Sequence, residues 1–213
     1  LSYIVQYRLK SKFKKYSQMP IAQGMTGKDV AERMLQSNNI KDVKVLSTSG
    51  RLTDHYNPAN KTINLSEDVY GTCSVAAAAV AAHECGHAVQ HAESYAWLQF
   101  RSAIVPVISF ASNWVQWVLL AGILLIEVFP YLLVAGVVLF AMTTLFSFIT
   151  LPVEINASKR ALAWLSTSGL TTAANDEAAK DALKSAAYTY VVAALGSLAT
   201  LLYYVMILLG RRD

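Results

Sequence analysis

VAAAAVAAHECGHAVQH, residues 75–91, decides how this chain is read. It places His83, Glu84 and His87 in the order H-E-x-x-H. On a helix, residues four apart lie one above the other on one face, so both imidazoles can reach one metal ion. Zinc suits two imidazoles, and its catalytic sites keep a position open for water. Glu84 is next to His83 and can act on that water as a general base. The flanking residues support a helix. Val75–Ala82 is rich in alanine with no Gly or Pro, and good helix formers continue to about Phe100. The alanines and valines predict a buried helix, where histidine and glutamate need a reason to be present. Gly86 costs about 1 kcal/mol relative to Ala in such a helix, so its missing side chain points to a close approach by another segment.

Composition sets the class. Of 213 residues, 54% are apolar and 15% are charged. Soluble domains carry roughly 25% charged residues, so a membrane protein is expected. The net charge of +4 is clustered rather than spread. No aromatic-basic interleaving suggests base stacking, which argues against a nucleic-acid partner. Cys73 and Cys85 do not make a disulfide framework. Cys85 reads as a small buried apolar residue turned away from the metal face.

The segments before the motif are short. The chain begins at Leu1, and Leu1–Tyr7 is too short to span a bilayer but fits the tail of a spanning helix. Residues 8–15, RLKSKFKK, carry five basic residues and read as a juxtamembrane cytoplasmic segment. Residues 26–38 open with Thr26 and Asp29 in a capping-box spacing and predict a short amphipathic helix. Residues 42–46 and 62–65 read as strands of a β-hairpin, with turn chemistry in the GRLTDHYNPANK between them. The outer strand of such a hairpin can pair with an extended substrate. His55 lies there as a candidate substrate or transition-state contact. Ser66-Glu67-Asp68 reads as a helix start, and the long motif helix is expected to run on to about Arg101.

Beyond Arg101 the chain becomes apolar. Residues 106–128 carry one charge, Glu127, at the far end. Residues 131–151 and 188–209 carry none. Each run is long enough to cross a hydrocarbon core of about 30 Å. Pro130 breaks the first two into a helical hairpin, so the chain returns near Leu151 on the side it left. Glu154 is the first carboxylate after that return, in the first turn of a helix opened by Pro152, and is the expected third ligand. Glu127 belongs to the opposite bilayer face. Glu93 is a weaker candidate, about 15 Å from His83 along a continuous helix. His91, about 12 Å away, is either a neighbour that tunes the site or a packing residue.

HECGHAVQH, TDHYNP…LSEDVYG and LPVEINASKRA together resemble the YugP-like membrane zinc metallopeptidases of bacteria, over nearly the whole chain. The resemblance implies a gluzincin-type site, with two helix histidines and a glutamate in a downstream E-x-x-A, here Glu154-Ile155-Asn156-Ala157. The chain is also similar to the cytoplasm-facing heat-shock and CAAX-processing membrane peptidases, which place a membrane hairpin between the motif helix and the third ligand. Those relatives often carry Asp after E-x-x-A. Here Ser158 stands there, so Asn156 or Ser158 is left to orient a ligand histidine.

The expected fold is mainly α, with multi-pass membrane helices and a zincin-like catalytic unit carrying a short β-hairpin. Its parts are 1–101 with the motif helix, 102–151 as a transmembrane hairpin, 152–187 with the third ligand, and 188–213 as a last transmembrane helix and tail. The expected protein is a zinc endopeptidase of the bacterial cell membrane. One zinc per chain is held by His83, His87 and Glu154. Glu84 takes a proton from the attacking water and passes it to the leaving amine. An oxyanion helper is also needed. His55 is the first candidate, with Arg160 and Tyr56 as competitors. Substrates are proteins or peptides, membrane-associated or misfolded. The basic residues Arg8–Lys15, Lys159, Arg160, Lys180 and Lys184 put the catalytic face in the cytoplasm, against Arg211 and Arg212 on the other side. Two alternatives are weaker. An adaptor with a structural zinc needs a fourth protein ligand, for which Cys85 or His91 would have to serve. A channel needs polar spans, and these offer only hydroxyls, Asn113 and Gln116.

Overall fold

A computed structural model describes residues 2–21 and 24–210. Leu1, where the expected spanning helix would enter, and Arg211 and Arg212 of the topology argument lie outside the described residues. The elements are α1 (Ser2–Tyr16), α2 (Gly27–Ser37), β1 (Lys44–Thr48), β2 (His55–Asn57), β3 (Thr62–Ser66), α3 (Glu67–Tyr70), α4 (Val75–Ala92), α5 (Ala96–Leu124), α6 (Tyr131–Thr167) and α7 (Ala173–Leu209). The fold is mainly helical with one small sheet. It divides into two compact units, Leu1–Leu98 with Val153–Thr189, and Gln99–Pro152 with Tyr190–Asp213.

The first unit is built around α4. Its alanines at 76–79, 81 and 82 are at most 5% exposed. Small side chains let neighbouring backbones come close, and Val30, Ala31, Met34 and Leu35 of α2 share the core with them. The start of α2 is held as its sequence predicts. Thr26 accepts from the Asp29 N–H, and the Asp29 carboxylate accepts from the Thr26 N–H at 2.8 Å. Later parts of the chain complete this core with Ala161 and Leu165 of α6 and Ala178, Ala179 and Ala182 of α7. Within the same unit, Lys12 and Tyr16 of α1 converge on Asp181 of α7 at 2.7 and 2.5 Å.

Three local expectations are corrected. The sheet order is β1-β3-β2, with β1 parallel to β3 and β2 antiparallel to it. The hairpin is therefore β2 with β3, and not 42–46 with 62–65. Residues 49–61 reverse direction twice, which supplies the crossover that parallel neighbours need. The hairpin turn uses Asn57, whose side-chain oxygen accepts from the Ala59 N–H at 3.0 Å, and Lys61 at φ 53. Second, the motif helix stops at Ala92 rather than near Arg101. Ser94 adopts φ 55, its N–H donates to His91 O, and the Tyr95 N–H donates to Gln90 O at 2.9 Å. This reversed pair of bonds closes a helix end, usually around glycine. Third, Pro152 lies inside α6 and does not open a helix. Proline removes one backbone bond, and the long apolar turns before it and the helix formers after it propagate α6 through the break.

α5, α6 and α7 are each long and apolar enough to cross a membrane. In the second unit, Gly122 meets the Leu133 backbone and Gly136 meets Leu119, so α5 and α6 pack closely there. The Thr144 and Ser197 hydroxyls pair at 2.7 Å between α6 and α7. Large apolar side chains such as Trp117, Leu124 and Met206 face outward, the pattern expected where lipid is the solvent.

Candidate metal centre

His83 and His87 stand one turn apart on α4, and Glu154 faces them from α6. One Glu154 oxygen lies 3.2 Å from His83 Nε2 and 3.6 Å from His87 Nε2. One donor atom from each of the three residues falls within 4.8 Å of the others. Two atoms that each bind a tetrahedral zinc at about 2.0–2.1 Å sit roughly 3.3 Å apart, which the two Glu154 contacts of 3.2 and 3.6 Å match. Burial fits as well, because the His87 and Glu154 side chains are 9% and 5% exposed. Bringing two imidazoles and a carboxylate out of water is costly unless they share a cation or proton. Burial alone pulls His87 toward neutrality, but Glu154, with Glu84 and Gln90, outweighs it and raises the ring above its usual range. The field that favours a proton there also favours a divalent cation.

Gly86 explains how α6 comes so near. A Cβ on residue 86 would lie 2.6 Å from the Ala157 carbonyl oxygen, closer than real contacts allow. The glycine between His83 and His87 therefore lets the backbone that carries Glu154 lie against α4.

The two imidazole rings are held from behind. Ser158 Oγ is 3.1 Å from His83 Nδ1, and Gln90 Oε1 is 3.0 Å from His87 Nδ1. The Gln90 amide nitrogen donates to Val153 O and to Asn156 Oδ1, both at 2.9 Å. Asn156 Oδ1 also accepts from Arg160 Nε at 2.7 Å, and Arg160 pairs with Glu93 at 2.7 Å. Glu93 thus faces Arg160 and is not part of the His83–His87–Glu154 cluster.

Glu84 is 8% exposed, and its Oε2 accepts from the Tyr56 backbone N–H at 2.9 Å. Strand β2 is therefore tied to α4 at the residue after His83. The Tyr56 hydroxyl is 2.7 Å from His91 Nδ1, and burial, with Asp42 nearby, pushes this phenol up to about 12. His55, one residue earlier, is exposed. Its Nδ1 lies 2.7 Å from the Thr53 carbonyl and its Nε2 3.3 Å from the Asn64 amide nitrogen. A carbonyl only accepts, so in the neutral ring the one N–H is already used on Thr53. Cys85 is fully buried, burial pushes its thiol well up, and it faces Ala31 O at 3.4 Å. It is turned into the α2 contact and is not part of the His83–His87–Glu154 cluster.

Sequence reasoning missed Gln90, the Tyr56 N–H and the Arg160–Glu93 pair. Gln90 carried one signal: it is a polar residue three positions after His87, on the same face of an apolar helix.

Residues 1–209 match the family described as "Putative neutral zinc metallopeptidase". "Putative membrane protease YugP" of Bacillus subtilis (strain 168) is 44% identical over 213 residues, covering all of this chain and 94% of that protein. No solved structure matches.

Proposed function

This chain belongs to the neutral zinc metallopeptidase family, and on that premise we propose that it is a membrane-embedded zinc endopeptidase in which His83, His87 and Glu154 hold one zinc and Glu84 moves the proton. The observation that carries this reading is the convergence of the three donor atoms from α4 and α6, with Glu84 one residue from the first ligand. Bound zinc supplies Lewis acidity, lowering the pKa of water and polarising a peptide carbonyl. Glu84 accepts the proton of the attacking water and returns it to the leaving amine. The Tyr56 N–H fixes one carboxylate oxygen of Glu84 and so sets the direction of the other. His55 is the candidate donor to the substrate carbonyl, a role that requires its protonated ring or release from Thr53.

The three apolar helices and the membrane protease among the relatives support substrates that are membrane-associated or misfolded proteins. The basic residues of α1, with Lys159, Arg160, Lys180 and Lys184, support a catalytic face in the cytoplasm. Cysteine labelling or reporter fusions should find residue 170 inside the cell. An external residue 170 reverses the topology.

The deciding experiment compares wild type with Glu84→Gln in detergent, reading bound metal by mass spectrometry and cleavage of an unfolded protein. Both should bind one zinc, and only the wild type should cleave, with activity lost to a chelator. The variant should lose roughly three or more orders of magnitude in turnover, as for other groups that act only in the transition state. Zinc bound by both proteins with no cleavage by either would shift the reading to an adaptor with a structural zinc. Loss of zinc in the variant would make Glu84 structural.

A further inference from the structure

Behind the ligands runs a chain of polar groups whose direction can be read without seeing a hydrogen. Arg160 has donors only, so the atom of Asn156 that meets Arg160 Nε at 2.7 Å is the oxygen. That oxygen also meets Gln90, so the Gln90 amide must turn its NH2 group toward Asn156. The Val153 carbonyl gives the same answer independently, since a backbone carbonyl accepts and the Gln90 nitrogen lies 2.9 Å from it. With its nitrogen committed twice, Gln90 turns Oε1 to His87 Nδ1 at 3.0 Å. An amide oxygen only accepts, so His87 Nδ1 carries the hydrogen. The neutral ring then has one lone pair left, on Nε2, the atom that faces Glu154.

We infer that Gln90 is a positioning residue. It locks His87 in the tautomer that leaves Nε2 bare, and it ties that ring to the turn of α6 that carries Glu154. The inference rests on the zinc reading of this site. The second part follows from where Gln90 binds: Val153 immediately precedes Glu154, and Asn156 is two residues beyond it. Gln90 is itself 0% exposed, so water does not compete for these contacts, and a buried amide with all its partners met has one orientation. One side chain therefore sets the ring of one ligand and the axial position of another. Arg160, anchored to Glu93, fixes the polarity from the far end.

The test separates the tautomer from the metal. Nitrogen-15 NMR of histidine-labelled, metal-free protein, at a pH where the ring is neutral, should show His87 protonated on Nδ1. Zinc affinity is read by competition with a chromophoric chelator. Gln90→Met removes the acceptor and both donations. It should give a mixed-tautomer signal at His87 and bind zinc roughly 10–100-fold more weakly, the usual effect of losing a group that orients a ligand. Gln90→Glu keeps an acceptor opposite Nδ1, so it should restore the Nδ1–H signal and recover part of the lost affinity. A merely structural role would not predict that recovery. A wild-type ring protonated on Nε2 overturns the inference without any variant. So does a Gln90→Met protein that retains the wild-type signal and affinity. Wild-type protein that binds no zinc but shows the Nδ1–H signal would sink the zinc reading and leave the tautomer assignment standing.

Discussion

Gly86 shows how one missing side chain decides the geometry of the site. In an ordinary helix, Gly→Ala stabilises by about 1 kcal/mol. Here the added Cβ would sit 2.6 Å from the Ala157 carbonyl oxygen, and the obstacle is backbone that cannot rotate away. Overpacking of this kind costs about 1–3 kcal/mol. Gly86→Ala should therefore reverse the usual sign, lower the midpoint of chemical unfolding, and weaken zinc binding because Glu154 is carried on the displaced backbone. An unchanged midpoint would mean that α4 and α6 are less tightly apposed than the Gly86–Ala157 contact implies. At this scale the sequence was informative where partners are close along the chain. That His83 and His87 share one face is readable from helical spacing alone, and the close approach at Gly86 is readable from its missing side chain. The role of Gln90 is not, since its partner carbonyl lies 63 positions away and nothing local marks the pairing.

The elements illustrate the same limit in a different form. The α2 cap was legible because a capping box is spelled out within four residues. Its chemistry also gives a pH dependence. The Thr26 hydroxyl and then its N–H hold the Asp29 carboxyl below its usual range. A group lowered by folding contributes its stability above its unfolded pKa of about 3.9, and that contribution is lost as pH falls through the folded value. Asp29→Asn should therefore be less stable than wild type at neutral pH, and the gap should narrow in acid, as read by urea unfolding at both pH values. Thr26→Ala should cost about 0.5–2 kcal/mol, the usual effect of losing a cap. A gap that widens in acid would show the assigned sign to be wrong. The end of α4 was less readable. Its left-handed position is filled by Ser94 and not by glycine, so the sequence carries no stop signal. The parallel pairing of β1 with β3 was hidden because strand alternation says which residues pair with some strand but not which strand it is. Pro152 misled because proline is a stronger breaker in isolated helices than in long apolar ones.

Across the whole molecule, the apolar runs at 106–128, 131–151 and 188–209 were legible from composition, since a bilayer demands length and little else. What composition does not reveal is how the first unit is assembled from the start and the later part of the chain. Its core joins α2 and α4 to α6 and α7, and Lys12 and Tyr16 of α1 meet Asp181 of α7. That contact lowers the Asp181 carboxyl, chiefly through its Lys12 and Tyr16 hydrogen bonds, and raises the Tyr16 phenol to about 12. A metal shared by α4 and α6 adds one more tie across this core. A ligand bound only by the folded state stabilises it by about 4 kcal/mol at a thousandfold excess over its dissociation constant. Chelation should therefore lower the thermal midpoint of the wild type, and Glu84→Gln should show the same drop, because the proposed site gives Glu84 no bond to the metal. His87→Ala should show little or none. A wild-type midpoint indifferent to chelator would mean that metal contributes nothing to folding.

The two halves of the donor set are far apart in the order of synthesis. His83 and His87 leave the ribosome first, and the apolar runs at 106–128 and 131–151 follow before Glu154 exists. A nascent chain ending before α6 has two of the three donors and lacks both Gln90 anchors on α6. On the proposed reading, hydrolysis has to wait until residues 131–154 have been made, because the donor set closes only after both apolar runs exist.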